Sequence, residues 1–346
     1  MSHVFIVAEI GCNHNGSKKL AYQMIDKAKE CGVDAVKFQT FRAKDLISRY
    51  APKAEYQKKT TGNEESQLEM TEKLELSYKD LVDLKEYAEN VGLVVFSTPF
   101  DMKSIDFLES IGQNLWKIPS GEITNLPYLE RIGAIKQKDK KVILSTGMAT
   151  IDEIKDAINI LINAGTLEND IILLHCNTEY PTPDKDVNIL AINDLKKIFP
   201  KIPIGFSDHS VGYLAAVGAS ILGITLIEKH FTLDKNLIGP DHKASANPEE
   251  LKALVENVRR MELMAGNGEK IVTESEKKNR IVARKSIIAL KPIKKGEVFS
   301  KENVTCKRPG NGISPMNWYD ILGKVAERDF EEDELISVSG IEMQNN

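Results

Sequence analysis

The sequence predicts an α/β protein, a (β/α)8 barrel followed by a small second domain. Short runs rich in β-branched and apolar residues occur eight times, and helical patterns separate most of them. Alternation of strand and helix favours a parallel sheet. Eight such units fill the roughly 250 residues of a typical closed barrel better than they fit a doubly wound sheet. The chain of 346 residues then leaves room for a second module.

The predicted strands are VFIVAEI, DAVKFQT, LVVFSTP, LWKIPS, KVILST, DIILLHC, PIGFSDH and TLIEKHF. Two of the helices between and after them have recognisable starts. Thr150 and Glu153 form a capping box pattern, and Asn247 precedes a proline at the first helical position. The last barrel helix is predicted to run from Glu249 to about Met264.

Two loops of this barrel are candidates for function. The segment from Arg42 to Leu76, after the second strand, is long and polar, which is typical of a functional loop, although a solvated excursion with a short helix is the alternative. After the first strand, Asn13 and His14 are candidates either for substrate contact or for capping the next helix.

Composition divides the chain into a barrel catalytic domain over 1–265, a linker over 266–282 and a second domain over 283–346. From Gly266 to Lys278 the sequence is polar and loses its period, which is typical of a linker. The tail carries short strands and turns, with too few apolar residues to build much of a core alone. We therefore expect it to pack on another surface, such as a partner subunit.

Charge and composition exclude several classes of function. A formal net charge of -5 and a pI of about 5.8 disfavour a nucleic-acid partner. The sequence contains no leader and no run near the roughly 20 apolar residues that span a bilayer, so we expect a cytoplasmic protein without membrane contact. Four widely spaced cysteines indicate reduced thiols. No dinucleotide or P-loop glycine pattern follows a strand.

Polar side chains stand at the carboxyl ends of the predicted strands, where barrel enzymes place their active sites. They are Glu9, Lys37 with Gln39, Thr98, Lys117 with Ser120, Ser145, Asn177, Asp208 with His209, and Glu228 with His230. A single one, such as Thr98 or Ser145, is as typical of a helix cap as of a site, but the whole ring favours catalysis. Lys37 and Lys117 would supply positive charge for a phosphate or carboxylate.

His209 and His230 close the last two strands, which are neighbours in such a barrel. Their imidazoles are candidate ligands for one divalent cation, with water and substrate oxygens completing the shell. The alternative is a pair of neutral histidines that are hydrogen-bonded to Asp208 and Glu228.

Nine segments resemble, in order, the signatures of the bacterial N-acetylneuraminate (sialic acid) synthase family: VAEIGCNHNGS, AVKFQTF, FSTPFD, KIPSGE, ILSTGMA, LHCNTEYPTP, GFSDHS, EKHFTLD with GPDH, and KRPGNGISPM. The resemblance spans nearly the whole chain. It implies a TIM barrel followed by an antifreeze-like (SAF) domain, and a domain-swapped homodimer in which each small domain covers the partner's barrel.

The resemblance also implies a reaction. Phosphoenolpyruvate would condense with N-acetylmannosamine and water, with Mn2+ or Mg2+ as cofactor, to release N-acetylneuraminate and phosphate. The residues that would hold phosphoenolpyruvate are Lys37, Thr98, Lys117, Ser120, Ser145 and Asn177. Those that would contact the sugar are Gln39, Tyr180, Asp241 and, from the small domain, Arg308. His209 and His230 would hold the metal, and Glu9 or Glu122 would transfer protons.

Alternatives stay open within and outside the family. Legionaminate synthases and synthases acting on 6-phosphorylated N-acetylmannosamine share the same frame, and the motifs NTEYPTP and RPGNGISPM favour the unphosphorylated N-acetylmannosamine enzyme. A Schiff-base aldolase would use Lys37 or Lys117 as its nucleophile, with pyruvate as substrate. A sugar-binding protein without catalysis would need none of the ring of strand-end polar residues.

Overall fold

The computed structural model describes residues 3–54, 57–58, 61–62 and 64–344. The chain divides into two compact units, Met1–Asn267 and Gly268–Asn346. The larger unit contains the eight predicted strands: β1 (Phe5–Gly11), β2 (Ala35–Thr40), β3 (Val94–Pro99), β4 (Leu115–Ile118), β5 (Lys141–Ser145), β6 (Ile171–Cys176), β7 (Ile204–Asp208) and β8 (Leu226–His230).

Eleven α-helices accompany these strands in the described part of the larger unit. They are α1 (Lys18–Cys31), α2 (Ala43–Leu46), α3 (Gln67–Glu72), α4 (Tyr78–Asn90), α5 (Met102–Ser110), α6 (Leu126–Gly133), α7 (Ile151–Ala164), α8 (Asp184–Val187), α9 (Ala191–Ile198), α10 (Leu214–Ser220) and α11 (Pro248–Met264). The capping box at Thr150 and the helix start with proline after Asn247 are confirmed, and Asn247 forms a second capping box.

All eight strands are parallel, and their hydrogen-bonded order is β3-β2-β1-β8-β7-β6-β5-β4. The predicted barrel is therefore confirmed, with its seam between β3 and β4. At this seam the side-chain amide of Gln113 takes the place of a neighbouring strand. Its Oε1 accepts from the backbone N–H of Ser97 at 2.7 Å, and its Nε2 donates to the Ser97 carbonyl at 2.9 Å.

Side chains that point into the barrel are stacked in layers, as the period of two along each strand requires. One layer, here the apolar layer, consists of Val7, Ala35, Phe96, Ile143, Leu174 and Leu226. On β7 the corresponding position is Gly205, where an added Cβ would lie 2.5 Å from a methyl carbon of Leu174 and 2.7 Å from the Leu226 carbonyl. The glycine therefore makes room for large neighbours, and the layer fills the barrel interior.

The excursion between β2 and α4 is tied down at its two ends. The Arg42 guanidinium donates to the Glu75 carboxylate at 3.3 Å and to the Leu76 carbonyl at 3.2 Å, and it stacks on the Tyr78 ring at 3.9 Å. Inside the excursion, the buried Lys53 ammonium donates to the Thr61 hydroxyl and the Gly62 carbonyl. The described part of the segment is therefore a built structure rather than a solvated excursion.

The smaller unit comprises helix α12 (Glu274–Ala283), an antiparallel pair β9 (Ser286–Ala289) and β10 (Val304–Lys307), and the short helix α13 (Trp318–Ile321). Most of the predicted linker over 266–282 overlaps α12, which begins at a capping box formed by Thr273 and Glu276. The unit also has a core of its own, built from ten buried side chains that include Ile287, Phe299 and Phe330.

No helix in the described part of the chain has both the length and the apolar character required to cross a membrane.

A buried ion pair between neighbouring strands gives the first prediction. The Lys229 ammonium and the Asp208 carboxylate are fully buried and 3.0 Å apart. Lys229→Met should lower the free energy of unfolding by about 3–5 kcal/mol, because it leaves the carboxylate buried without its cation. Urea unfolding measures this change.

The matched control is Lys141→Met. Its ammonium is 2.6 Å from Asp170, but its side chain is 47% exposed. We expect a loss below about 1 kcal/mol there. Equal losses for the two variants would show that burial does not set the strength of the Lys229 pair.

Candidate active site

A second layer of inward side chains lies directly above the apolar layer, toward the carboxyl ends of the strands. Each member follows the inward position below it by two residues, as Glu9 follows Val7 and Lys37 follows Ala35. This polar layer consists of Glu9, Lys37, Thr98, Lys117, Ser145, Ser207 and Glu228, from seven of the eight strands. On each of these seven strands, the barrel interior therefore changes from apolar to polar side chains between one inward position and the next.

At the centre of the polar layer, one lysine contacts two carboxylates. The Lys37 ammonium is 2.9 Å from the carboxylate of Glu9 and 3.4 Å from that of Glu228, and it donates to the Thr98 hydroxyl at 3.0 Å. All four side chains are buried. Glu228 also accepts a hydrogen bond from the Ser207 hydroxyl at 3.1 Å. A buried cation with this many oxygen partners is held in one position.

Lys117, the second lysine of the polar layer, hydrogen-bonds to neutral groups. The Lys117 ammonium donates to the Ser145 hydroxyl at 2.6 Å and to the Ile118 carbonyl at 3.2 Å. Nearby, the Ser120 hydroxyl accepts from the backbone N–H of Gly147 at 3.0 Å and contacts the Cys176 thiol at 3.2 Å. Lys117 has no ion pair among the described residues, so its charge is available to an anionic ligand.

Burial and neighbouring charge separate the two carboxyl groups. Burial raises the pKa of Glu9 to about 7, with Lys37 opposing and Glu228 adding to this rise. Burial also acts to raise the pKa of Glu228, but the ammonium groups of Lys117 and Lys37 outweigh it and hold that pKa below its usual range. Burial lowers the pKa of Lys117. The polar layer therefore pairs one readily protonated carboxyl with one ionised carboxylate.

The two predicted metal ligands lie together at the rim of this layer. The ring centroids of His209 and His230 are 5.5 Å apart, and both rings contact the Tyr180 ring. Burial lowers the pKa of His209 to about 4 and that of His230 well below its usual value, so both imidazoles are neutral. Neither hydrogen-bonds to Asp208 or Glu228. Asp208 is occupied instead by Lys229 and by Ser210.

These two histidines fit a divalent cation. Nδ1 of His209 faces the Asn177 carbonyl, which only accepts, so Nδ1 carries the proton and Nε2 carries the lone pair. The Ser207 hydroxyl lies 3.2 Å from this Nε2, and its proton can go instead to Glu228. Nδ1 of His230 is buried and has no partner among the described atoms. The described residues contain no cluster of three or more His, Cys, Asp or Glu side chains suited to a metal. An ion held here would take its remaining ligands from water and substrate oxygens.

A cavity of about 300 Å³ opens above the polar layer. It brings together eleven of the fourteen predicted site residues, namely Glu9, Lys37, Gln39, Thr98, Lys117, Ser120, Ser145, Tyr180, His209, His230 and Asp241. Gln39 donates to Glu9 at 3.0 Å, and Asp241 accepts from the Cys12 thiol at 3.4 Å. Burial raises the pKa of Asp241 to about 6.

The other three predicted residues lie outside this cavity lining. Glu122 ends a short 3-10 turn, where its carboxylate accepts from the Asn125 amide at 2.6 Å. Asn177 contributes its carbonyl to His209, while its side-chain oxygen accepts from the backbone N–H of Glu179 at 2.8 Å. Arg308 belongs to the smaller unit, where it is exposed and donates to the Ala283 carbonyl at 3.1 Å. Of the two candidate proton carriers, only Glu9 lines the cavity.

Asn13 and His14 also stay outside the cavity lining, and their contact with substrate stays a prediction. The Asn13 amide donates to the Phe231 carbonyl and the Ser245 hydroxyl, both at 2.8 Å. The His14 ring accepts from the backbone N–H of Gly16 at 3.0 Å. Both side chains therefore hold the loop after β1 in place.

Sequence reasoning missed several lining residues. Ser207 belongs to the polar layer, and the period of two would have found it, since it lies two residues before the strand-end His209. The excursion after β2 contributes Leu46, Ile47, Gln57, Gln67, Met70, Thr71 and Leu74. No sequence signal in that excursion separates these residues from their neighbours.

Comparison with known proteins identifies the family. The sequence profile of the NeuB family matches residues 24–270, and that of the SAF domain matches residues 284–342. The chain belongs to the NeuB family. The fold and the SAF domain expected from the sequence motifs are thereby confirmed.

Several synthases are similar to this chain over most of its length. The N,N'-diacetyllegionaminic acid synthase of Campylobacter jejuni is 50% identical over 97% of this chain and 99% of its own. That of Legionella pneumophila is 44% identical over 92% of this chain and 89% of its own. The crystal structure of N-acetylneuraminic acid synthetase from Leptospira borgpetersenii, in complex with citrate, has a TM-score of 0.70 and 34% identity, and the match covers 80% of this chain and 90% of that one.

The chain is therefore a NeuB-type nonulosonate synthase, a phosphoenolpyruvate-dependent transferase. The residues of the polar layer are suited to such a substrate, because its phosphate and carboxylate need fixed cations and donors.

The raised pKa of Glu9 gives a prediction on stability. The native carboxyl titrates at about 7 and the unfolded one near 4.5, so between these values the native state binds more protons. The stability of the native protein relative to a Glu9→Gln variant should therefore fall as pH rises through this window. Urea unfolding of both proteins at several pH values measures the difference. A difference that stays constant, or rises with pH, would contradict a protonated native Glu9.

Proposed function

We propose that this NeuB enzyme condenses phosphoenolpyruvate with a neutral, diacylated six-carbon amino sugar to make an acid of the N,N'-diacetyllegionaminic type. The observation that carries the reaction is the pair of buried lysines, Lys37 and Lys117, set among hydroxyl donors beside two neutral histidines. The sugar is inferred from the relatives. Two N,N'-diacetyllegionaminic acid synthases are 50% and 44% identical to this chain, whereas the N-acetylneuraminic acid synthetase is 34% identical.

This proposal replaces the expectation of N-acetylmannosamine, which rested on motifs that several NeuB enzymes share. A nonulosonic acid has nine carbons, of which phosphoenolpyruvate supplies three. A product with two acetylated nitrogens therefore requires a six-carbon acceptor that already carries both.

Phosphoenolpyruvate would lie on the polar layer. Its phosphate and carboxylate would pair with the ammonium groups of Lys117 and Lys37, and the hydroxyls of Thr98, Ser120 and Ser145 would add neutral donors. Binding of an anion would offset the burial that lowers the pKa of Lys117. These fixed contacts would hold the enol carbon toward the open end of the cavity.

The reaction needs a group that gives and takes protons. Carbon 3 of phosphoenolpyruvate bonds to the aldehyde carbon of the open-chain sugar, whose oxygen gains a proton. Water then adds to carbon 2 and loses a proton, and phosphate leaves as the keto group forms, so that protons balance overall. Glu9, with a pKa of about 7, is suited to hold the proton between these steps.

His209 and His230 would hold Mn2+ or Mg2+, and the ion when bound would supply Lewis acidity at the sugar carbonyl. Gln39, Tyr180 and Asp241 also line the cavity, and we assign them to the sugar. Their amide, phenol and carboxyl groups provide both donors and acceptors for sugar hydroxyls and acylamino groups.

The alternative function, a Schiff-base aldolase, is supported by one observation, since burial lowers the pKa of Lys117. The family assignment argues against it, since NeuB enzymes use phosphoenolpyruvate. A binding protein without catalysis is disfavoured because it would have no need for the two neutral histidines beside a protonated carboxyl.

Phosphate release tests the proposed reaction. The purified protein should release phosphate from phosphoenolpyruvate with a diacetamido hexose and Mn2+, and EDTA should stop this release. His230→Ala should reduce turnover by at least roughly 100-fold, the upper end of the losses seen when even the outer partners of a metal ligand are removed. The control His3→Ala alters an exposed histidine paired with Asp34 and should retain full activity.

Pyruvate consumption that persists in EDTA would instead establish the aldolase. Phosphate release by His230→Ala at the native rate, with saturating metal, would exclude this histidine as a ligand.

We further propose that Arg308 completes the site of a partner subunit in a homodimer. Arg308→Ala and Lys117→Met should each be nearly inactive alone. In a swapped dimer, the mixed dimer formed on co-expression of the two should have about half of native activity, because one of its two sites then carries both Lys117 and Arg308. Activity of the co-purified mixed dimer, with each chain carrying a different tag, measures this. No recovery would place Arg308 and Lys117 in the same chain's site, and native activity of Arg308→Ala alone would place Arg308 in no site.

A further inference from the structure

The excursion between β2 and α4 presents two different surfaces. Its charged side chains pair with one another or with the barrel helices, as in Arg42 with Glu75, Asp45 with Lys103, and Lys53 with Glu65. The side chains of the excursion that line the cavity differ from these, since every described one of them is uncharged. The charge of this polar segment is therefore directed away from the substrate.

Four apolar residues of the excursion line the cavity and are here called the outer wall: Leu46, Ile47, Met70 and Leu74. The barrel adds Phe41 and Phe100, whose rings pack edge to face with centroids 6.4 Å apart. Leu46, Ile47 and Leu74 remain only half-buried, although they face a cavity. Hydrocarbon left open to water in this way favours a ligand that brings an apolar group to it.

The outer wall also lacks charge partners for an anion. Among the described lining residues the only lysines are Lys37 and Lys117, and both belong to the polar layer at the bottom of the cavity. Gln57, Gln67 and Thr71 flank the wall with neutral hydrogen-bonding groups. A phosphate placed against the outer wall would lose its hydration to hydrocarbon, and none of the four wall residues supplies a cation.

We propose that the outer wall selects the acceptor: it takes a neutral sugar that presents a methyl group to Leu46 and Leu74, and it rejects a sugar with a phosphate at that end. This inference rests on the proposed function and adds to it the residues that determine specificity. The methyl group has two possible sources, the acetyl of a second acylamino group or the terminal carbon of a deoxy sugar. Either places one apolar carbon against the wall.

The test is a matched set of acceptors with N-acetylmannosamine as reference. One analogue replaces the 4-hydroxyl by acetamido, one lacks the 6-hydroxyl, and one carries a 6-phosphate. For the native enzyme, kcat/KM should be at least roughly tenfold higher for one of the methyl-bearing analogues than for the reference, the factor that one methyl group contributes in an apolar pocket. The 6-phosphate should be the poorest acceptor. The analogue that gains identifies the source of the methyl.

Leu74→Asn, a change that keeps the number and branching of the heavy side-chain atoms, should abolish this preference while kcat/KM for the reference sugar stays within roughly threefold. KM for phosphoenolpyruvate should not change, because the wall does not contact the polar layer's ligand. Leu46→Asn is a second, independent variant. Leu167→Asn is the control, since Leu167 is 68% exposed and precedes the amino-terminal end of β6. Thermal unfolding verifies that each variant is folded.

Three results would overturn the role of the wall: a native enzyme that ignores the methyl group, one that prefers the 6-phosphate, or folded Leu74→Asn and Leu46→Asn variants that lose activity equally with every acceptor. Failure of the native enzyme to release phosphate with any acceptor would instead overturn the proposed function itself.

Discussion

The site depends on one constraint, the period of two along parallel strands in a closed barrel. Because inward positions alternate, each polar side chain stands two residues above a position of the apolar layer, as Glu228 stands above Leu226. The apolar layer fills the barrel below and keeps water from reaching the charges from that side. The polar layer therefore lies in a region of low dielectric that opens in one direction only, which strengthens every electrostatic interaction in it.

This burial explains the division of roles among the charged groups. Two carboxylates share the Lys37 ammonium, and ionising both of them in a buried site costs free energy. The pKa of Glu9 is therefore raised to about 7, while Glu228 stays ionised. Lys117 lacks a carboxylate at ion-pair distance among the described residues. A buried ammonium in this position is more stable once an anion arrives. The charge arrangement of the polar layer therefore suits it to an anion such as phosphoenolpyruvate.

Sequence alone predicted the barrel because each strand carries its own signal, and it predicted Lys37, Lys117 and His230 because strand ends are readable. It could not place Glu122 outside the cavity, since a 3-10 turn there rotates its carboxylate to Asn125. The sequence also did not identify the residues of the outer wall. Leu46 and Leu74 are 28 residues apart in the sequence, and contacts such as that of Arg42 with Glu75 hold the two segments that carry them together. The motifs shared by the family led to N-acetylmannosamine, because the residues around phosphoenolpyruvate say little about the sugar.

The most direct measurement of the central claim is a calorimetric titration of phosphoenolpyruvate into the native protein and into Lys117→Met, without acceptor. If the polar layer holds this substrate, the native protein should bind it and the variant should lose at least roughly tenfold in affinity, the equivalent of one charge-assisted hydrogen bond of about 1.5 kcal/mol or more. Equal affinity in the two proteins would place phosphoenolpyruvate elsewhere and contradict the assignment of this layer.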